Sequence, residues 1–147
     1  ALDGMANAPH GGGEVWETSG GPLIIMGDFN DETDNKSVAE TLKARIIIPE
    51  QEPTVLRNLA AEPDKQNKGS YNYRGNWNML DQIIISSGIS KANKTITIDN
   101  QKIFDADWLM FKDKKYGPRP NRTYGGPNYY GGYSDHLAVF ADLTFVK

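Results

Sequence analysis

Short apolar runs alternate along this chain with polar stretches rich in Gly, Pro and Asn, a pattern that fits strands and brief helices. Leu23 to Met26 is the first such run, and Gly27-Asp28-Phe29-Asn30-Asp31 follows it directly. Being apolar on both faces, it predicts a central strand. Asp34 and Asn35 are N-cap candidates, and Val38 and Leu42, four apart, predict a short amphipathic helix. A second apolar run, Ala44 to Ile48, stops at Pro49, and a helical turn fits between Pro53 and Pro63. Ser70–Tyr73 and Met79–Ser86 read as two strands joined by a tight turn at Gly75–Asn76. Ile96 and Ile98, broken by Asp99-Asn100, predict a hairpin. Asp107 to Phe111 continue the apolar material, and from Lys112 to Gly132 regular structure is expected to give way to Gly, Pro, Tyr and basic residues. Leu137, Val139, Ala141, Leu143 and Phe145 then share one face at period two, as in a long strand packed on a core. Strands dominate and helices are short, so the class is β-rich α+β.

Composition narrows the picture. A chain of 147 residues is one domain with room for a core. Residues 1–21, with "HGGG" and "SGG", read as a flexible Gly-rich N-terminal segment, and 22–147 as the folded part. The absence of Cys excludes disulfides and thiolate metal sites. Two His, His10 and His136, argue against a histidine-rich zinc centre, and His10 lies in the Gly-rich segment. A net charge of −3 argues against indiscriminate nucleic-acid binding by the whole surface, while leaving room for a local basic patch. No apolar run reaches the ~20 residues of a transmembrane segment, and no signal peptide is visible, so no compartment follows.

Three strand edges carry the candidate chemistry: Asp28 and Asn30 after the first strand, Asp81 entering another, and Asp135-His136 entering the last. Each has an ordinary reading: an Asx-turn, an edge charge that discourages aggregation, and a surface histidine. Together they would cost stability through desolvation and like-charge repulsion unless a cation or a function offsets it. Residues 112–133 add five basic residues against one Asp up to Arg122, then clustered Tyr and Gly. One reading is a phosphate funnel with aromatic platforms, using Arg122, Tyr124 and Tyr133; the other is a solvated loop. Tyr73 and Trp77 read as site lining or as core, with core the favoured reading.

Three stretches carry a family resemblance: "MGDFND" (Met26–Asp31), "NWNMLDQIIIS" (Asn76–Ser86) and "GGYSDHLAVFADL" (Gly131–Leu143). In order and spacing they resemble the endonuclease/exonuclease/phosphatase superfamily, the deoxyribonuclease I-like fold. That family pattern is a strand ending in Gly-Asp-(Phe/Leu)-Asn, an apolar strand containing (Ile/Leu)-Asp-(Tyr/x)-Ile, and Ser-Asp-His before the final strand. "RTYGG…YYGGYSDH" is similar to the bacterial, stand-alone branch. The resemblance covers Leu23 to Val146.

It implies part of a four-layer αββα sandwich, a domain closer to roughly 200–250 residues. The C-terminal half is what this chain resembles. The family's N-terminal half brings an Asn, a metal-binding Glu and a further catalytic Tyr or His, none with a counterpart here; Glu14 and Glu17 lie too close to Asp28. The implied activity is Mg²⁺- or Mn²⁺-dependent hydrolysis of phosphodiester or phosphomonoester bonds by a nuclease or phosphatase, with the isolated piece inactive. By resemblance, Asp28 orients or deprotonates the attacking water and Asn30 donates to the phosphate. Asp135 completes the metal or water shell, and His136 stabilises developing charge with Asp81 as its hydrogen-bond partner. Asp31 reads better as a turn cap. Relatives act on DNA, RNA, phosphoinositides, sphingomyelin and small phosphodiesters, so the substrate stays open. The implied partner is the missing N-terminal half or a second copy of the chain. The rival reading is a noncatalytic binding or assembly module that keeps the fold.

Overall fold

The computed structural model describes residues 23–45, 56–87, 89 and 96–145. Its first half contains β1 (Ile24–Asp28), a single π-helical turn (Ser37–Thr41), β2 (Ala44–Arg45), β3 (Leu56–Asn58), α1 (Ala61–Lys65), β4 (Tyr71–Tyr73), β5 (Asn76–Asn78) and β6 (Asp81–Ser86). The second half is built from β7 (Ile96–Ile98), β8 (Lys102–Ile103), a 3₁₀ turn (Asp107–Leu109), β9 (Met110–Asp113) and β10 (Gly117–Pro120). It ends with β11 (Tyr124–Gly125), β12 (Asn128–Tyr129), β13 (Val139–Phe140) and β14 (Leu143–Phe145). The β-rich α+β class expected from the sequence is the class observed.

The main sheet runs β1-β6-β3-β2, antiparallel except for the parallel β2–β3 pair. β6 is its spine, because three successive isoleucines suit a strand with neighbours on both edges and cover on both faces. Alternation sends its residues to two separate cores. Ile83 and Ile85 pack with Leu59 and Ile89, backed by Ile98, Val139 and Ala141. Ile84 points the other way and packs with Val38 and Ala44, backed by Ile25, Phe29, Leu42 and Leu56.

Several local expectations are corrected. The Leu23–Met26 run is not central among the described strands: β1 is an edge, and Ile24 and Met26 are 48% and 65% exposed. An unbroken apolar run reports low polarity, not how many neighbours a strand has. The predicted helix is one π turn, closed by the Leu42 N–H on the Ser37 carbonyl at 2.9 Å, and neither Asp34 nor Asn35 caps it. Ser70–Tyr73 does not pair with Met79–Ser86. β4 pairs instead with β5 around Arg74-Gly75, whose positive φ values of 53° and 94° suit a tight hairpin turn. β7 and β8 form no hairpin either, since they pair with β14 and β13. The cause lies between them: Gln101 is buried and its backbone N–H donates to the Leu59 carbonyl at 2.9 Å, so the chain dives into the core instead of turning back.

Residues 112–132 are more regular than expected. Two hairpins, β9–β10 and β11–β12, occupy them. The Asp113 carboxylate closes the first by accepting from the Lys115 and Tyr116 N–H groups and from Arg119 Nε. Those bonds hold its carboxyl below the usual carboxylate range. The single long final strand is in fact two short ones, broken at Ala141–Asp142, and Leu143 and Phe145 are exposed rather than packed. Tyr73 is also exposed, beneath the Arg74 guanidinium, while Trp77 is half-buried. The Gly-rich segment 1–21, Ile46–Pro49 and the start of the Pro53–Pro63 stretch lie outside the described residues. No described helix is long and apolar enough to cross a membrane.

This packing predicts an asymmetry that urea unfolding can measure. Leu59→Ala, at a fully buried position, should cost about 2–5 kcal/mol. Met26→Ser should stay within about 0.5 kcal/mol of the parent when the isolated chain is diluted to the monomer. Equal losses for the two would show that the outer face of β1 is covered after all.

Candidate active site

β1 and β6 are antiparallel, and their register sets Asp28 directly opposite Asp81. Directly opposed residues point to the same face, so two carboxylates meet at the sheet end. Gly27 has a φ of 149°, a conformation that side chains rarely adopt, and it delivers Asp28 at the strand end. The chain then turns sharply. Asn30 takes a left-handed conformation (φ 51°), which Asn tolerates, and its N–H donates to Asp28 Oδ1 at 2.8 Å. The Phe29 N–H donates to the Leu80 carbonyl at 2.8 Å, tying the turn to the entrance of β6.

His136 arrives from the distant end of the sequence. Its Nδ1 lies 2.6 Å from Asp81 Oδ2, with both side chains about one-fifth to one-quarter exposed. A carboxylate accepts, so this contact places the proton on Nδ1 and leaves Nε2 for another partner. The ring packs against Tyr71 with centroids 4.9 Å apart. Ser70 fastens the two segments together: its Oγ accepts from the Asp81 N–H (3.1 Å), and its carbonyl from the Leu137 N–H (2.7 Å).

Buried amides hold this end of the sheet from within. Gln82, with no exposed surface, donates from Nε2 to the Asp31 carbonyl (2.7 Å) and the Met79 carbonyl (3.1 Å). Its Oε1 accepts from Asn58 Nδ2 at 2.7 Å. Gln101 Oε1 accepts from the Ile83 N–H, and its Nε2 donates to the Asp81 carbonyl, both at 2.8 Å. Asn78 Nδ2 bonds Glu32 Oε1, and the Thr33 hydroxyl bonds Asp64, so the loop after β1 is anchored along its length. Asn58, Gln82 and Gln101 were not singled out in the sequence, where a polar residue near a strand end looks like surface. Tyr71 was missed in the same way.

The remaining candidates lie outside the Asp28–Asp81–His136 group. Asp31 does not cap a backbone N–H of the π turn; its carboxylate accepts from the Ser37 hydroxyl and Asn35 Nδ2 beside that turn, and these bonds hold its carboxyl below the usual range. Asp135 is exposed and falls outside the Asp28–Asp81–His136 group. Arg122 is half-buried, and its Nε is buried with no hydrogen-bond partner among the described residues. Tyr124 and Tyr133 are exposed. Tyr124 leans on Tyr129 at 5.2 Å, and Tyr133 meets Trp108 edge-on at 5.0 Å. Trp108 is an exposed aromatic that sequence reading passed over. Lys112, Lys114 and Lys115 are exposed on the neighbouring hairpin. Gly132 permits the close approach at the base of the aromatic hairpin, because a Cβ there would sit 1.9 Å from the Asn121 carbonyl oxygen.

Asp28, Asp81 and His136 each offer a ligand atom, all within 4.8 Å of one another. Two of those groups already bond each other, which leaves Asp28 as the accessible carboxylate. Mg²⁺ is bound through one or two carboxylates together with waters and substrate phosphate, so this donor set fits a shared site and not a closed protein cage.

Comparison with known proteins agrees with the motifs. No curated protein and no solved structure matches the chain. Residues 16–144 match the Endonuclease/Exonuclease/phosphatase family. With its three motifs converging at one sheet end and that match spanning most of its length, the chain belongs to the endonuclease/exonuclease/phosphatase family.

Proposed function

We propose that this chain carries the C-terminal part of a divalent-metal-dependent phosphoester hydrolase site, with Asp28, Asn30, Asp81, Asp135 and His136 as its working residues. The observation that supports it most is the pairing of Asp28 with Asp81 across β1 and β6, with His136 in contact with the second of them. Like charges directly opposite on a sheet are destabilising. Their placement next to His136 suits a site that receives a cation and a phosphate.

Bound Mg²⁺ or Mn²⁺, held through the exposed Asp28 carboxylate, waters and the substrate, with Asp135 in its water shell, would polarise the phosphoryl group. The chain's own residues do the rest. Asp28 orients the attacking water and accepts its proton, held in place by its bond from the Asn30 N–H. The Asn30 side-chain amide donates to a phosphate oxygen. Asp81 holds the Nδ1–H of His136, and as an imidazolium the ring donates Nε2–H to the charge that develops on the phosphorane oxygens and passes that proton to the leaving oxygen. Tyr124 and Tyr133 supply exposed rings for the substrate's organic part, and Arg122 is proposed as a cation for its phosphate.

The site is proposed to be completed by an upstream half of the sandwich. Support comes from the face of β1 that carries Asp28, which continues into the exposed Met26 and Ile24. An apolar edge strand of this kind invites a covering layer.

Turnover of bis(p-nitrophenyl) phosphate with Mg²⁺ or Mn²⁺, by the protein carrying this chain and its upstream half, tests the reading. Asp28→Ala and His136→Ala should each lower kcat by ~100-fold or more while leaving the protein folded. Parental turnover by purified Asp28→Ala would overturn the mechanism. The 147-residue chain alone should be inactive and should show a mass above one chain by light scattering. A cooperative, active monomer would show that no second half is needed.

A further inference from the structure

We propose that Gln101 is a positioning residue that holds the Asp81 backbone so that the Asp81 carboxylate meets His136. β3 ends at Asn58, opposite Ile84, and the Leu59 N–H reaches the Ile83 carbonyl at 2.9 Å. Beyond that point no described strand pairs with this edge of β6, and without a side chain in its place the Ile83 N–H and Asp81 C=O would lack ladder partners. The Gln101 side chain takes both, its Oε1 accepting from one and its Nε2 donating to the other. One primary amide thus reproduces the donor and acceptor that a neighbouring antiparallel strand would present. The amide is itself immobile. Gln101 is 2% exposed, its backbone N–H is held by Leu59, and Nε2 also approaches Met79 Sδ at 3.3 Å.

The consequence falls on Asp81. Its N–H is held by Ser70 Oγ and its C=O by Gln101, both on the same edge, so the peptides on either side of its Cα are pinned. That matters because Asp28 faces Asp81 from β1, and repulsion between the two carboxylates would push a slack Asp81 away from His136. Gln82 makes a useful contrast: it is equally buried, but its amide holds the Asp31 and Met79 carbonyls instead. The catalytic meaning of this role rests on the function proposed above. Its geometric part does not.

The test records long-range ¹H–¹⁵N spectra of the full protein labelled with ¹⁵N-histidine, with His136 assigned by its loss in His136→Gln. The parent should show His136 as a single tautomer with the proton on Nδ1. Gln101→Met, which removes both bonds at similar volume, should give the averaged tautomer pattern of Asp81→Ala. Gln82→Met should keep the parental pattern. Gln101→Asn keeps a buried amide one methylene too short to span both groups, and it should show the same averaging where the Met variant does not fold. Hydrolysis of bis(p-nitrophenyl) phosphate by the Gln101 variants should lose kcat by ~10-fold with KM unchanged. A folded Gln101 variant with the parental His136 pattern would overturn the proposal, as would equal averaging in Gln82→Met. Tautomer averaging in a protein that hydrolyses no phosphate ester would support the positioning role and count against the proposed function.

Discussion

Two carboxylates face each other across an antiparallel strand pair, and the surrounding structure is arranged to keep them there. Asp28 and Asp81 could relax apart if either strand end were loose. Neither is. The Asp28 turn is closed by its own bond from the Asn30 N–H and by the Phe29 N–H on Leu80. Asp81 is gripped through its backbone by Ser70 and Gln101 and through its side chain by His136. Juxtaposed acids held this firmly have low tolerance for drift, which is the condition for a site whose geometry is ready before a ligand arrives.

The device that achieves this is a set of buried primary amides. Gln82, Gln101 and Asn58 are nearly or fully shielded from water, and each spends its donors and acceptors on backbone carbonyls, N–H groups or one another. Such groups are costly when unpaired and directional when paired, so they fix the sheet end more sharply than apolar side chains could. Apolar packing works on the other part of β6, where Ile83, Ile84 and Ile85 feed two cores on opposite faces. One strand therefore joins the stability of the fold to the placement of its chemistry.

What the sequence made legible was local. An apolar run ending in Gly-Asp-Phe-Asn announces a strand with acids at its tip, and Asp81 and His136 could be marked because each stands at the entrance of a hydrophobic run. Pairing was not legible, because it depends on contacts distant along the chain. β4 takes β5 in preference to β6, and β7 and β8 separate to meet β14 and β13, since the buried Gln101 pulls the chain between them inward. The amides and Tyr71 were invisible for a related reason: their roles arise only once strands from distant parts of the chain have met. The exposure of Ile24 and Met26 shows the opposite limit, in which hydrophobicity was plain but the number of neighbours was not.

The central claim is that Asp28 and His136, brought within ligand distance of each other around Asp81, act as one chemical unit. Measuring phosphodiester turnover for Asp28→Asn, His136→Gln and the double variant tests it most directly. Residues that serve a single step lose activity non-additively, so the double variant should be little worse than the poorer single one. Losses that multiply would show two independent contributions and contradict the account.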